Sequence, residues 1–179
     1  MNIWHDIDEN KIKSEDFIAV IEITKGSKQK YELDKSTGFL MLDRILYTST
    51  QYPANYGFVP RTYADDGDPL DVLVLCSEPL LSMSLVRCYP IGVIIMSDNG
   101  KQDEKIIAVP FTDPCYNFYK DIKELPGHVF EEMRHFFSVY KQLENKSTVV
   151  DEVYGVQKAK EILDYCIKNY INNEKKLRK

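Results

Sequence analysis

Cysteine, glycine and proline are all scarce in this sequence, and each shortage argues against a class of protein. The four cysteines, Cys76, Cys88, Cys115 and Cys166, are widely spaced and form no Cys-x-x-Cys pair. A chain of 179 residues can bury a core without disulfides, so we expect free, buried thiols in a reducing compartment. With only eight glycines and eight prolines, the composition is not that of a fibrous or disordered chain.

Long apolar runs and a positive net charge are also missing. The longest apolar stretches, such as residues 90–96, have the length of a strand and are too short to span a bilayer. The N-terminus lacks the basic start and apolar run of a signal peptide. A net charge of −5 opposes nucleic-acid binding, which needs a basic surface. We therefore expect a cytoplasmic protein that forms a single domain over residues 1–179 and binds neither membranes nor nucleic acid.

The first two thirds of the chain have the pattern of strands and turns. A β-rich run at residues 17–23 is followed by runs at 30–33 and 39–42, which a turn-type connection joins. A later pair of apolar runs flanks a polar tip that contains Asn99 and Gly100, a strong turn signal. These features predict a small antiparallel barrel.

The last third changes to a helical period. From residue 126 to Leu143, apolar residues recur at spacings of three and four, which predicts a helix with one buried face. A second helix is predicted at about residues 156–170, and the polar tail at 172–179 is predicted to be frayed. Strands followed by helices indicate an α+β domain.

The densest group of acidic side chains lies at residues 65–71, directly before an apolar run. Asp65, Asp66, Asp68 and Asp71 place four carboxylates within seven residues. Carboxylates this close repel one another unless cations lie between them, and oxygen ligands without nearby His or Cys suit magnesium, manganese or calcium. The spacing does not fit an EF-hand loop. The alternative is a solvated acidic turn, since Asp, Gly and Pro are common turn residues.

Other charged and phenolic side chains suit a polyanionic ligand. Asp98 and Asp103, followed by Lys105, lie on the predicted hairpin tip, where taken alone they indicate an exposed polar loop. Residues that could bind phosphate oxygens are Lys30, Arg44, Tyr52, Tyr56, Tyr140 and Lys141. Each also has an ordinary structural explanation, so these residues alone leave a metal-dependent phosphate enzyme as one hypothesis.

Taken together, these segments resemble the family I soluble inorganic pyrophosphatases. The segment DGDPLD at residues 66–71 is similar to that family's signature, Asp-x-Asp-Pro-x-Asp. The resemblance covers roughly residues 16–165, with the matching segments in the family's order. The other matching residues are Lys30, Glu32, Asp43, Arg44, Tyr52, Tyr56, Arg87, Gly92, Asp98, Asp103, Lys105, His135, Tyr140 and Lys141.

The resemblance implies a role for each part of this set. It implies magnesium-dependent hydrolysis of pyrophosphate to two orthophosphates by a metal-activated water, with Asp68 as the general base. The implied metal ligands are Asp66, Asp71, Asp98 and Asp103, with Glu22 and Glu32 acting partly through water. The implied phosphate-binding residues are Lys30, Arg44, Tyr56, Lys105, Tyr140 and Lys141, with Tyr52 in the same pocket.

The resemblance also implies a fold, cofactors and an assembly. The implied fold is α+β, a small five-stranded OB-like β-barrel with flanking C-terminal helices. Several Mg²⁺ ions would act in each site, with Mn²⁺ or Zn²⁺ as substitutes. A homo-oligomer is implied, with a hexamer favoured, although Val139 stands where some bacterial relatives have an interface histidine.

Two other functions remain open from the residues. One is a magnesium-dependent hydrolase of another phosphoanhydride, such as a nucleotide, although the sequence contains no Gly-rich phosphate loop. The other is a barrel-type binding module without catalysis, which the negative charge and the lack of a basic aromatic stripe oppose.

Overall fold

The chain forms nine β-strands and two α-helices within residues 2–98, 100–146 and 148–178, which the computed structural model describes apart from the side chains of Asp98 and Lys101. The strands are β1 Ile12–Lys13, β2 Asp16–Ile23, β3 Gln29–Leu33, β4 Leu40–Ile45, β5 Asn55–Phe58, β6 Asp71–Val74, β7 Leu85–Asp98, β8 Lys101–Pro110 and β9 Thr148–Gly155. The helices are α1 Gly127–Val139 and α2 Val156–Leu177, and short 3-10 turns lie at Glu9–Lys11, Ile122–Glu124 and Gln142–Glu144. Within the described ranges, no helix is long and apolar enough to cross a membrane.

Five of the strands close into a barrel. They follow one another in the order β2, β5, β6, β8 and β7, and the ring closes because β7 also pairs with β2. β1 and β9 extend the sheet beyond this ring, whereas β3 and β4 form a separate two-stranded hairpin. The predicted α+β fold with a five-stranded barrel and C-terminal helices is therefore confirmed.

The barrel is mixed, so the prediction of a purely antiparallel barrel is wrong at one seam. β6 and β8 run parallel, with Asp71 opposite Lys105, while the other pairs around the ring are antiparallel. A closed ring with an odd number of strands must contain at least one parallel pair. This parallel seam places an acidic and a basic residue side by side at the end of the barrel.

Gly57 allows β2 and β5 to approach closely. It lies opposite Ile21, and a Cβ atom at this position would fall 1.8 Å from the carbonyl oxygen of Val20. Real side chains do not occur at such a distance, so only glycine fits. The close approach fixes the strand position of the neighbouring Tyr56.

The first helix ends earlier than its apolar pattern predicts. α1 buries Met133, Phe136 and Phe137, as the helical period indicates. The chain then leaves the helix at Tyr140, and Leu143 is exposed in the following 3-10 turn instead of lying on the buried face.

The second helix is longer than predicted, because the polar tail is not frayed. α2 continues to Leu177, and its buried face includes Ala159, Leu163 and Tyr170. Beyond it, Arg178 donates to a carboxylate oxygen of Asp6 at 2.9 Å. This long-range ion pair holds the tail against the N-terminal segment, which local polarity cannot indicate.

Two smaller expectations also need correction. Strand β9 was not predicted, because its sequence, TVVDEVYG, alternates poorly and most of its residues are exposed or half-buried at the edge of the sheet. All four cysteines are free, as expected, but only Cys76, Cys88 and Cys166 are buried, whereas Cys115 is exposed.

Candidate active site

A cleft of about 320 Å³ lies between the β3–β4 hairpin, the acidic turn at residues 65–71 and the end of α1. The predicted site residues that line it are Glu22, Lys30, Glu32, Tyr56, Asp66, Asp68, Asp71, Asp103, Lys105, Tyr140 and Lys141. Among the remaining predictions, Arg44 is not part of this lining, and the side chain of Asp98 lies outside the described part of the chain. The fold thus brings residues from five strands, one turn and one helix end to a single cleft.

Strand alternation explains why these residues reach the cleft in pairs. Lys30 and Glu32 are two residues apart on β3, and Asp103 and Lys105 are two residues apart on β8. Side chains two residues apart on a strand point to the same face, so both pairs face the same space. Asp71 joins them because it begins β6, directly beside β8.

Lys105 is a buried ammonium at the centre of the acidic group. Its side chain is only 2% exposed, and its Nζ lies 2.6 Å from Asp71 and 3.0 Å from Asp103. It also donates to the hydroxyl of Tyr56 at 3.1 Å, and Tyr56 in turn donates to Asp71. Burial alone would lower the pKa of Lys105, but Asp71 and Asp103 raise this pKa well above its ordinary value. The ammonium therefore stays charged and ties the acidic groups together.

Burial disfavours the charged form of several carboxylates around this ammonium. Burial, together with the charge of Asp71, raises the pKa of Glu22 to about 8, although Glu22 accepts the backbone N–H of Leu33 at 2.8 Å. Desolvation also raises the pKa values of Asp66 and Asp103. Raised pKa values mean that the negative form is destabilised, so a further cation in this space would be stabilising.

The residues fit a divalent metal ion by their chemistry. Apart from the Lys105 ammonium, the polar groups that the described residues bring to this side of the cleft are carboxylate and hydroxyl oxygens, which are the ligands that magnesium prefers. In the described part of the chain, no three acidic, histidine or cysteine side chains are already gathered around one metal position. Lysine side chains contact these oxygens instead: Lys105 forms ion pairs with Asp71 and Asp103, and Lys35 forms an ion pair with Asp68.

Asp68 lies on the acidic turn, where its side chain is about half exposed to the cleft. Its backbone N–H donates to a carboxylate oxygen of Asp66 at 3.0 Å, which fixes the turn. Its partner Lys35 was missed in the sequence, because it lies in the turn between β3 and β4 and resembles an ordinary solvated lysine. Lys35 also sits 5.7 Å from the ring centroid of Trp4, and Asn2 donates to its carbonyl oxygen at 2.8 Å.

The basic wall of the cleft is itself held by acidic residues. Lys30 forms ion pairs with Glu32 and with Asp43, the latter at 3.1 Å. Arg44 pairs with Asp43 and, across the cleft rim, with Glu144 at 2.8 Å. Glu144 was also missed, because it follows α1 in a short polar segment that carries no motif.

The two buried tyrosines near the end of α1 differ in whether they reach the cleft. Tyr140, at the end of α1, is buried and lines the cleft beside Lys141, whose Nζ lies 5.3 Å from the ring centroid of Tyr140. Tyr52 is buried but does not line the cleft, because its ring packs 4.8 Å from that of Phe136 and 5.3 Å from that of Tyr56. Tyr52 therefore supports the ring of Tyr56 by packing against it without reaching the cleft.

Known proteins share both this sequence pattern and this architecture. Residues 19–171 match the family model described as inorganic pyrophosphatase. The chain is 50% identical over 167 residues to soluble inorganic pyrophosphatase 1 of Arabidopsis thaliana, an alignment that covers 93% of this chain and 79% of that protein. It is 48% identical over 167 residues to soluble inorganic pyrophosphatase 2 of Chlamydomonas reinhardtii, covering 93% of this chain and 87% of the relative.

Solved structures agree with these relatives. The inorganic pyrophosphatase of Helicobacter pylori superposes with a TM-score of 0.86 at 44% identity, covering 89% of this chain and 95% of that chain. That of Thermus thermophilus superposes with a TM-score of 0.89 at 36% identity, covering 95% of this chain and 99% of that chain. Sequence identity and architecture therefore agree along most of the chain, and the chain belongs to the inorganic pyrophosphatase family, the inorganic diphosphatases that hydrolyse pyrophosphate to two phosphates.

Proposed function

We propose that this chain hydrolyses pyrophosphate in the described cleft, with Mg²⁺ as its cofactor and Asp68 as its general base. The observation that carries this proposal is that one cleft combines an acidic wall, formed by Glu22, Asp66, Asp68, Asp71 and Asp103, with lysine and tyrosine side chains that lie among and around these acids. A polyanion with bound divalent cations is complementary to such a cleft, because its metals meet the carboxylates and its free oxygens meet the donors.

The acidic wall is the proposed metal site. Its ligands are Asp66, Asp71, Asp98 and Asp103, with Glu22 and Glu32 acting partly through water. Held by these residues, Mg²⁺ would offset the charge of the carboxylates and lower the pKa of a water molecule. The raised pKa of Glu22 supports this assignment, since no ion pair to a cation is formed by that carboxyl among the residues that the structure describes.

The protein side chains would carry the remaining steps. Asp68 is accessible from the cleft, so one of its oxygens can accept a proton from the attacking water as the new oxygen–phosphorus bond forms. The bond to the bridging oxygen then breaks, and the leaving phosphate takes its electron pair. Lys30, Arg44, Tyr56, Lys105, Tyr140 and Lys141 are the proposed donors that hold the phosphate oxygens and stabilise this charge.

The direct test is phosphate release from pyrophosphate by the wild type and by Asp68→Asn, with and without Mg²⁺. We expect hydrolysis that requires Mg²⁺ and a loss of about 100-fold or more in kcat for Asp68→Asn, as removal of a general base produces. Asp65→Asn is the matched control, because Asp65 is in the same turn but accepts from Tyr165 outside the cleft lining, at 2.7 Å. The control should retain wild-type activity.

Each other result has a definite meaning. A folded wild type that releases no phosphate with Mg²⁺ present would contradict the proposed function. Hydrolysis that persists at full rate after chelation would remove the metal from the mechanism. Equal activity of Asp68→Asn and the wild type would show that another group is the general base, while pyrophosphate would remain the proposed substrate.

We also propose that the chain acts as a homo-oligomer, with a hexamer favoured, and that residues 1–179 form one domain. The outer side of the β3–β4 hairpin exposes Phe39, Met41 and Ile45, which suits contact with a second copy. The ion pair between Asp6 and Arg178 joins the two ends of the chain, which supports a single domain. Analytical ultracentrifugation measures the assembly directly.

A further inference from the structure

The ion pair between Arg44 and Glu144 is buried yet incompletely satisfied. Nε of Arg44 lies 2.8 Å from Oε1 of Glu144, and the two side chains are only 18% and 9% exposed. Nε and Nη2 of Arg44 and Oε2 of Glu144 are buried with no hydrogen-bond partner among the described residues, so the close contact between Arg44 and Glu144 is an ion pair without hydrogen-bond geometry. Such atoms are uncommon in native proteins, and each one calls for an explanation.

The pair connects the two walls of the cleft. Arg44 lies on β4 directly opposite Lys30 on β3, and Lys30 lines the cleft. Glu144 ends the 3-10 turn that follows Lys141, which lines the cleft from the other side. Asn145 then closes this turn in the left-handed conformation, with φ of 56°. Glu144 is therefore held by local backbone geometry and reaches across to the guanidinium.

Stability alone does not account for this pair. Removing two charges from water costs free energy that a pair recovers only when its remaining polar atoms are also bonded. Here two donors of Arg44 and one acceptor of Glu144 are left without a hydrogen bond. A buried donor without a partner costs free energy in the resting protein, but a ligand oxygen could satisfy it.

Two nitrogens of the guanidinium lie in ion-pair contact with carboxylates, and the third is buried without a hydrogen-bond partner among the described residues. Nη1 of Arg44 pairs with Asp43, and Nε faces Glu144. Asp43 also pairs with Lys30 at 3.1 Å, so one carboxylate joins both cationic side chains. The remaining nitrogen, Nη2, has no protein partner among the described residues. We propose that Glu144 is a positioning residue, which fixes the guanidinium of Arg44 so that Nη2 is presented to an oxygen of the phosphate ligand.

This inference rests on the proposed function only in taking Arg44 as a phosphate-binding residue. The proposal and a simple electrostatic explanation predict opposite effects of removing Glu144 on the binding of an anion. If Glu144 acted only as a nearby negative charge, its removal would strengthen the binding of an anion. If Glu144 positions Arg44, its removal weakens binding, because the freed guanidinium must be ordered again when the ligand arrives.

The experiment compares KM and kcat for magnesium pyrophosphate in wild type, Glu144→Ala, Glu144→Gln and Glu144→Asp. We expect Glu144→Ala to raise KM about tenfold while kcat changes less than about threefold, because positioning acts on ground state and transition state alike. Glu144→Asp, which keeps the charge, should recover part of the lost affinity. The matched control is Glu131→Ala, an exposed acid on α1 that lies near His128 and should leave KM unchanged.

A double-mutant cycle with Arg44→Ala shows whether Glu144 acts through Arg44. In the Arg44→Ala background, the additional change Glu144→Ala should raise KM no further. An equal rise in both backgrounds would overturn the proposal, as would an unchanged or lowered KM in Glu144→Ala. If Glu144→Ala does not fold, the same comparison is made with Glu144→Gln, which keeps the side-chain volume. A KM for Glu144→Gln equal to that of the wild type would then overturn the proposal.

Calorimetric titration with inorganic phosphate, in the presence of Mg²⁺, provides a readout that does not depend on turnover. The dissociation constant for phosphate should rise in Glu144→Ala by about the same factor as KM, and an unchanged constant would overturn the proposal. Failure of the proposed function is recognised separately, because in that case the wild type itself would not hydrolyse pyrophosphate.

Discussion

Lys105 is the residue on which the charge balance of the cleft depends most. It is the buried cation that faces Asp71 and Asp103, and it also donates to the hydroxyl of Tyr56. The parallel pairing of β6 and β8 is what sets it opposite Asp71. A single lysine therefore links two carboxylates, a phenol and the seam of the barrel.

Replacing this lysine should destabilise the protein as well as impair binding. Lys105→Met removes the ammonium but keeps a side chain of similar length, which leaves Asp71 and Asp103 without their partner. We expect the free energy of unfolding to fall by about 3 kcal/mol, as for a broken buried ion pair, which corresponds to a lower Tm by about 6–12 °C. Thermal unfolding without Mg²⁺ measures this change.

The control for this measurement is Lys158→Met on the surface of α2, where the side chain is 46% exposed. Its ion pair is exposed to solvent, so its loss should change stability by less than about 1 kcal/mol. Equal stabilities of Lys105→Met and Lys158→Met would show that the central ammonium is not needed to hold the acidic group together.

Individual strands and helices place these side chains, and the junction of β2 and β5 has room only for a glycine at one position. Gly57 stands where the backbone of β2 leaves no room for a Cβ atom. The neighbouring residue, Tyr56, is the one that donates to Asp71 in the cleft. The requirement for glycine in the segment 52–57 therefore arises from strand packing, not from turn formation.

A pair of glycine substitutions tests this explanation at the level of the element. Gly57→Ala would place a methyl group 1.8 Å from the carbonyl oxygen of Val20, so the strands must separate. We expect a loss of more than about 3 kcal/mol in the free energy of unfolding, or failure to fold. Gly127→Ala, at the start of α1, meets no atom within 4 Å and should be neutral or stabilising by up to about 1 kcal/mol. Chemical denaturation of both variants measures these changes. A Gly57→Ala variant as stable as the wild type would contradict the packing argument.

Across the whole molecule, the two ends of the chain meet on one side of the barrel. Nδ1 of His5 lies 2.8 Å from the hydroxyl of Tyr170 on α2, and the ring of His5 stacks on Trp4 with centroids 4.6 Å apart. Arg178 donates to the carbonyl oxygen of His5 at 2.6 Å. Burial and the nearby charge of Arg178 lower the pKa of His5 below its ordinary value of 6.5.

This lowered pKa predicts the direction of a pH dependence. Between pH 6.5 and the lower pKa of His5 in the folded protein, the histidine is protonated in the unfolded chain but neutral in the folded protein. Folded stability contributed by neutral His5 is therefore fully present above pH 6.5 and is lost as the pH falls through this window. The slope from this one group is at most about 1.4 kcal/mol per pH unit.

Urea unfolding of wild type and His5→Gln between pH 5 and pH 8 measures this contribution. Glutamine does not titrate, so the variant should lose stability less steeply on acidification. Parallel curves for the two proteins would show that His5 does not contribute to the acid sensitivity of the fold.

Local sequence was sufficient wherever a feature depends on neighbouring residues. The acidic turn at 65–71, the β3–β4 hairpin and the start of α2 at Val156 follow from carboxylate spacing, turn chemistry and helical period. The family resemblance then named the residues of the cleft, and all those with described side chains line it except Arg44 and Tyr52.

Only the tertiary structure decided the features that join distant segments. Lys35 beside Asp68, Glu144 beside Arg44, and Arg178 beside Asp6 are charge pairs between segments whose proximity no local pattern encodes. The parallel seam of the barrel is of the same kind, because ring closure forces it and no strand sequence does. Local conformational preferences extend over a few residues, whereas side-chain pairing across a barrel depends on how the whole chain closes on itself.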